Sequence, residues 1–161
     1  MDIRPLADGD IDALCRFVTD SYDDYPLAMW FDERPQKEQL ERMFYSKMKG
    51  SNSGAVADFV AEQAGIILAE CEIVRTSTGS GVVGILVRKE YSGKGLGSKL
   101  LDRAMDAAKE IGIYKLRAEV MADNKDAIHF FMINGFAPVG TAKTKKSGEQ
   151  RDVVILEKKV K

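Results

Sequence analysis

Histidine occurs once in these 161 residues, as His129, and cysteine twice, as Cys15 and Cys71. Two thiols build no disulfide framework, and with a lone histidine they supply no cluster of metal-ligand spacing, so no metal is expected and both cysteines read as reduced, buried side chains. Net charge is missing as well: 24 Lys and Arg stand against 25 Asp and Glu. Without a basic field, neither a nucleic-acid backbone nor an anionic membrane is an expected partner. No apolar run approaches the ~20 residues of a membrane span. Charges at Asp2 and Arg4 interrupt the stretch where a secretory signal would need an apolar core. A cytoplasmic protein is expected. Internal repeats and low-complexity stretches are also lacking.

What is present suits one compact domain over residues 1–161, with 45% hydrophobic residues to fill its core. After Asp8-Gly9-Asp10, the residues Ile11, Leu14, Cys15, Val18 and Tyr22 recur at helical spacing up to the break at Pro26. An acidic, proline-marked start at 32–35 opens a second helix with Leu40, Met43, Phe44 and Met48 on one face, ended by the glycines of 50–54. Residues 57–62, 66–75 and 82–87 are short, branched-residue-rich runs parted by Gln63-Ala64-Gly65 and by 76–81, and they predict three antiparallel strands. A long helix carrying Leu96, Leu100, Leu101, Ala104, Ala108 and Ile111 closes at Gly112. A strand over 115–121, a shorter helix over 124–133, and a hairpin of 137–142 with 153–158 across Ser147-Gly148 complete the chain. The fold class is α/β (α+β): a mixed, mostly antiparallel sheet of about six to seven strands, with helices on both faces.

The chemistry concentrates where the strand at 82–87 runs through Arg88-Lys89-Glu90-Tyr91 into Ser92-Gly93-Lys94-Gly95-Leu96-Gly97-Ser98 and a helix. Glycines let successive N–H groups converge on an anion at the positive end of a helix, so a phosphate or pyrophosphate is the natural guest. Lys94 and Lys99 can add charge, though less rigidly than arginine. The nucleotide P-loop needs Gly-Lys-Ser/Thr, whereas Gly93-Lys94 is followed by Gly95. The dinucleotide fingerprint needs a parallel βαβ start and an acidic residue ending the next strand, and it fails too. A turn that only joins strand to helix would carry the same glycines.

Here the sequence resembles the GNAT superfamily of N-acetyltransferases, whose signature is Arg or Gln, two residues, Gly, one residue, then Gly or Ala. Ser92, Gly93-Lys94, Gly95, Leu96 and Gly97 match it in spacing. Asn124-Lys125-Asp126-Ala127-Ile128-His129-Phe130-Phe131-Met132-Ile133-Asn134-Gly135-Phe136 matches the family's second motif, and the likeness spans roughly residues 58–140. The resemblance implies a sheet splayed between the strands at 82–87 and 115–121, with acetyl-CoA (CoA) as co-substrate. Pantetheine would pair along Ile85, Leu86 and Val87, and the pyrophosphate would lie on the amides of Gly93, Lys94, Gly95, Leu96, Gly97 and Ser98. Asn124 would hold the pantetheine arm, a role compatible with capping its helix.

Two positions depart from the family. Ser92 replaces the usual Arg or Gln and shortens the contact to pyrophosphate. Phe131 stands where many members carry the tyrosine that protonates the departing thiolate, and a phenyl ring has no proton to give. The strand at 81–87 carries no Asp or Glu, so a base must come from elsewhere; Glu70 and Glu72, on one face of their strand, can act through water. On the acceptor side, Tyr22, Tyr25 and Trp30 lie among Asp20, Asp23, Asp24, Asp32 and Glu33, a setting for an ammonium held by charge and cation–π contact. The same residues would equally make an acidic loop with packed aromatics. The expected activity is transfer of an acetyl group to a primary amine, of a small molecule or peptide, by direct attack in a ternary complex. The alternative is an acyl-CoA-binding sensor with impaired catalysis. A homodimer is compatible with either, and no residue demands one.

Overall fold

The computed structural model describes residues 1–26 and 31–160. In chain order these form β1 (Asp2–Pro5), α1 (Ile11–Asp24), α2 (Lys37–Ser53), β2 (Val56–Gln63), β3 (Ile66–Ser77), β4 (Ser80–Val87), α3 (Leu96–Glu110), β5 (Lys115–Met121), α4 (Lys125–Ile133), β6 (Ala137–Lys146) and β7 (Glu149–Lys159). The seven strands make one sheet in the order β1-β2-β3-β4-β5-β7-β6. Every neighbouring pair is antiparallel except β4 with β5 at the centre. The expected mixed sheet is thus present.

Alternation along the strands sends side chains to two separate cores. Val60 and Ile67 meet Leu14, Phe17 and Val18 of α1 and Leu40 and Phe44 of α2 on one face. Phe59, Ala69, Cys71, Ile73 and Val83 meet Leu100, Leu101, Ala104 and Ala108 of α3, with Phe131 of α4, on the other. Each of these helices has its apolar stripe turned to the sheet and its charges to water, the arrangement an amphipathic period requires.

Several boundaries differ from those the sequence predicts. Strand β6 runs to Lys146 and β7 starts at Glu149, beyond the expected 137–142 and 153–158. The cause is the tight turn: Ser147 and Gly148 take φ of 52° and 79°, the paired positive angles of a two-residue type I′ hairpin, so the ladder continues to its tip. Lysines and threonines fill that stretch, and apolar alternation cannot reveal it. Likewise β3 and β4 reach Ser77 and Ser80 around Gly79, closing most of the turn expected at 76–81. Helix α2 starts at Lys37, later than 32–35, because Pro35 is buried ahead of it and Asp32 instead accepts the Ser147 backbone N–H at 2.9 Å.

Candidate active site

The parallel pairing of β4 and β5 is brief, covering Ser80↔Lys115, Gly81↔Leu116 and Val82↔Arg117. Beyond it β4 stays with β3 as far as Val87 and β5 stays with β7 as far as Met121, so the two strands part. The edge of β4 over Ile85, Leu86 and Val87 consequently has no strand partner on the β5 side. A cleft of about 510 Å³ opens there, lined by Gly84, Ile85 and Leu86 on one wall and by Val120, Met121 and Asn124 on the other.

At the mouth of the splay, the chain passes from β4 to α3 through the glycine turn. Gly93 and Gly95 have φ of 73° and 86°, and a Cβ built on either would stand in open space. Such angles favour glycine, and the missing side chains leave the approach to the backbone clear. Gly95 is the N-cap of α3 and offers no side chain to its amides. The first α-helical bond, Lys99 N–H to the Gly95 carbonyl, leaves the N–H groups of Leu96, Gly97 and Ser98 without intrahelical acceptors. Three donors at a positive helix end fit a pyrophosphate. Gly97 has a different reason to be glycine, since its Cβ would lie 3.1 Å from the Phe130 ring, where α4 packs on α3. Lys94 turns its ammonium to the Glu90 carbonyl at 3.0 Å.

On the α1/α2 side the cleft has a charged floor. Lys47, projecting from α2, places its Nζ 3.3 Å from Asp58 Oδ2, 3.3 Å from Glu70 Oε1 and 2.7 Å from Glu72 Oε2. The Asp58 side chain is 0% exposed, Glu70 12% and Glu72 27%. Burial by itself pulls the Lys47 ammonium down, but the attraction of Glu70, Asp58 and Glu72 outweighs it and holds the group above the usual lysine range. For Asp58, burial first and the neighbouring Glu70 charge second push the carboxyl well above the ordinary range, against the pull of Lys47. Glu70 and Glu72 thus share a face, as alternation predicts, and both line the cleft. Lys47 and Asp58 were not among the residues expected here. Their signal is a charge on an apolar stripe: Lys47 falls in step with Leu40 and Phe44, and Asp58 interrupts Val56-Ala57-Asp58-Phe59-Val60.

Asn124 caps α4, its Oδ1 accepting from Ala127 N–H at 3.2 Å, and still borders the cleft. Phe131 is buried at 4%, edge-on to Phe130 and Phe136, with one side on the cleft wall. Tyr114 lies at the paired end of β4 and β5, where its N–H meets the Gly79 carbonyl, and not at the splay. Tyr22 and Tyr25 separate: Tyr22 packs with the α1/α2 core beneath Arg34, whereas the Tyr25 phenol, raised by burial, hydrogen-bonds Ser92 of the glycine turn. Trp30 lies outside the described residues. Phe31 joins the cleft lining, and its carbonyl accepts from Lys146 at 2.8 Å. Among the described residues no group of His, Cys, Asp and Glu is arranged to hold a metal ion, and no helix is long and apolar enough to cross a membrane.

A sheet opened at its parallel centre, with an uncapped glycine-rich helix start at the mouth, defines an α/β protein shaped for a phosphate-bearing ligand with an extended arm. The sequence model of the acetyltransferase (GNAT) family matches residues 15–136, and the chain belongs to that family. No curated protein sequence matches it. Among solved structures, the ribosomal-protein-alanine N-acetyltransferase of Brucella melitensis is similar at 25% identity and a TM-score of 0.84, over 99% of both chains. An N-acetyltransferase of Staphylococcus aureus Mu50 aligns at 22% identity and a TM-score of 0.84, over 99% of this chain and 98% of its own. The Salmonella typhimurium protein yncA, solved with its cofactor acetyl-CoA, aligns at 20% identity and a TM-score of 0.82, over 100% of this chain and 94% of its own. At those last two identities the likeness speaks to fold.

Proposed function

We propose that this GNAT-family chain is an N-acetyltransferase that moves the acetyl group of acetyl-CoA to a primary amine in a ternary complex. The observation that carries the reading is one cleft that joins the unpaired edge of β4 at Gly84, Ile85 and Leu86 to the carboxylates Glu70 and Glu72 of β3, with the uncapped start of α3 following the end of that strand. Pyrophosphate would lie on the amides of 93–98, and the pantetheine arm would pair with the free β4 edge over Ile85, Leu86 and Val87 and border Asn124. That track would bring the thioester to the splay, where Gly84 lines the cleft.

An amine with an ordinary pKa near ~10 arrives as an ammonium and must lose a proton before it attacks. Glu70 or Glu72, through water, takes it. The nitrogen lone pair then forms the C–N bond at the thioester carbon, while backbone N–H groups of β4 stabilise the carbonyl oxygen's developing charge. The C–S pair departs to sulfur, and the second amine proton reaches the thiolate through water, because Phe131 has no proton to offer. A thiolate near pKa ~8.5 leaves tolerably without a side-chain acid.

The test is acetyl transfer by the purified protein to a panel of primary amines, read as release of the CoA thiol, with calorimetric titration of acetyl-CoA beside it. The expected result is saturable binding and amine-dependent thiol release, both lost in Gly95→Glu. Binding without release to any amine would overturn the enzymatic reading.

A further inference from the structure

Lys47, Asp58, Glu70 and Glu72 hold three carboxylates around one ammonium, with every Nζ–O distance at or below 3.3 Å. Fully ionised, the group would carry two uncompensated negative charges beneath the sheet's helical face, which a desolvated site resists. A proton relieves that repulsion most where water is least able to, and Asp58 is the member with no exposure. Its Oδ1 is buried without a hydrogen-bond partner, as is Oε2 of Glu70. An ionised carboxylate can only accept, so a proton on Asp58 turns one of these unpartnered acceptors into a donor.

The two glutamates are not equivalent. In the β3–β4 register Glu70 stands opposite Leu86 and Glu72 opposite Gly84. Leu86 packs against the α1/α2 core and Glu70 beside it is 12% exposed against 27% for Glu72, whereas a Cβ on Gly84 would meet nothing within 4 Å. Glu72 therefore faces an open lane that runs over Gly84 to the splay, and it is anchored by the shortest of the Lys47 contacts, 2.7 Å.

We propose that Asp58 is a positioning residue that retains a proton in the resting protein, leaving Glu72, tethered by Lys47 and facing the space over Gly84, to take the acceptor's proton. This rests on the amine-acetylating reading above. The ammonium's proton passes through water to the Glu72 carboxylate, and the nitrogen keeps the electron pair that attacks the thioester. Among the described residues no other charge opposes the assignment. From β1, Arg4 is bidentate with Asp10; from α3, on the opposite face, Arg103 stacks over Phe59; from β3, the Cys71 thiol is pushed up by its burial and then by Asp58. Burial and the Glu70 charge act on Asp58 in the same direction.

The first readout is independent of turnover. Infrared spectra of the protein in heavy water near neutral pH should contain a protonated carboxylic C=O band that Asp58→Asn removes; a wild-type spectrum without it would overturn the proposal. Kinetics then read the positioning role. Asp58→Leu should lower kcat by about tenfold or more, Asp58→Asn should restore it to within about threefold, and Glu72→Gln should cost about 10²–10⁴-fold. The alkaline fall in rate that follows loss of the Asp58 proton should be absent in Asp58→Asn. An Asn variant as impaired as Glu72→Gln would make Asp58 an ionised participant and sink the assignment. A band lost on substitution, in a protein that acetylates no amine, would overturn the acetyl-transfer reading and Glu72's part in it while Asp58's proton stands.

Discussion

Lys47 shows how one residue can hold a site together by charge alone. Removing a single partner from a buried ionic cluster leaves the others uncompensated, which typically costs about 3–5 kcal/mol. Lys47→Met should destabilise the protein by that order in urea unfolding at neutral pH. The deficit should narrow as pH falls and the carboxylates protonate. Asp58 gives the opposite slope. Its folded-state pKa is raised, so the folded protein keeps a proton that the unfolded chain releases near ~3.9, and this residue's contribution to stability declines as pH rises from there through the folded value. Asp58→Asn should flatten that part of the stability–pH curve, as measured by denaturant midpoints across the range. Neither residue stood out from sequence because the partners of each lie on other elements: Lys47 meets Asp58 across 11 positions and Glu72 across 25.

At the scale of elements, the start of α3 and the start of α4 solve the same problem differently. Asn124 satisfies an amide of α4 itself, while Gly95 leaves those of α3 free. Asn124→Ala should therefore cost about 0.5–2 kcal/mol in stability through the lost cap, together with weaker acetyl-CoA binding in calorimetry, a second loss that a pure cap would not show. Gly95→Ala keeps the turn small but places a side chain at φ +86°, a strain of roughly 1–2 kcal/mol, and should weaken acetyl-CoA more than it weakens the fold. Both turns were legible in the sequence, because Gly-x-Gly-x-Gly and an asparagine before an apolar helix are local devices that work within a few residues. The extended ends of β6 and β7 were not, because their polar residues are held by a ladder whose partner strand supplies the evidence.

Over the whole molecule, the cleft exists because β4 and β5 each have a better partner elsewhere. β4 is tied to β3 through Val87, and β5 to β7 through Met121, so the central pair can open without unpaired strands on their outer edges. The tip of the β6–β7 hairpin braces the same side, with Ser147 N–H on Asp32 and Lys146 on the Phe31 carbonyl, 115 residues away. A ligand that bridges the parted strands should stabilise the fold as a unit. Acetyl-CoA at about 100 times its Kd is expected to add about 2.7 kcal/mol, which at this size raises Tm by about 5–10 °C. Thermal unfolding with and without the ligand checks it, and Gly95→Glu should abolish the shift.

The sequence by itself determined the elements, the glycine turn and the family likeness, since each is written in patterns shorter than one helix or one hairpin. It also placed Glu70 and Glu72 on one face, because strand alternation is a local rule. What only the tertiary structure decided is how those two differ. Register sets Glu72 opposite a glycine and Glu70 opposite a leucine, and α2 lowers Lys47 onto both beside a fully buried Asp58. Burial and charge repulsion depend on what surrounds a group in space, and the neighbours that set them here come from a helix and three strands that meet only in the folded sheet.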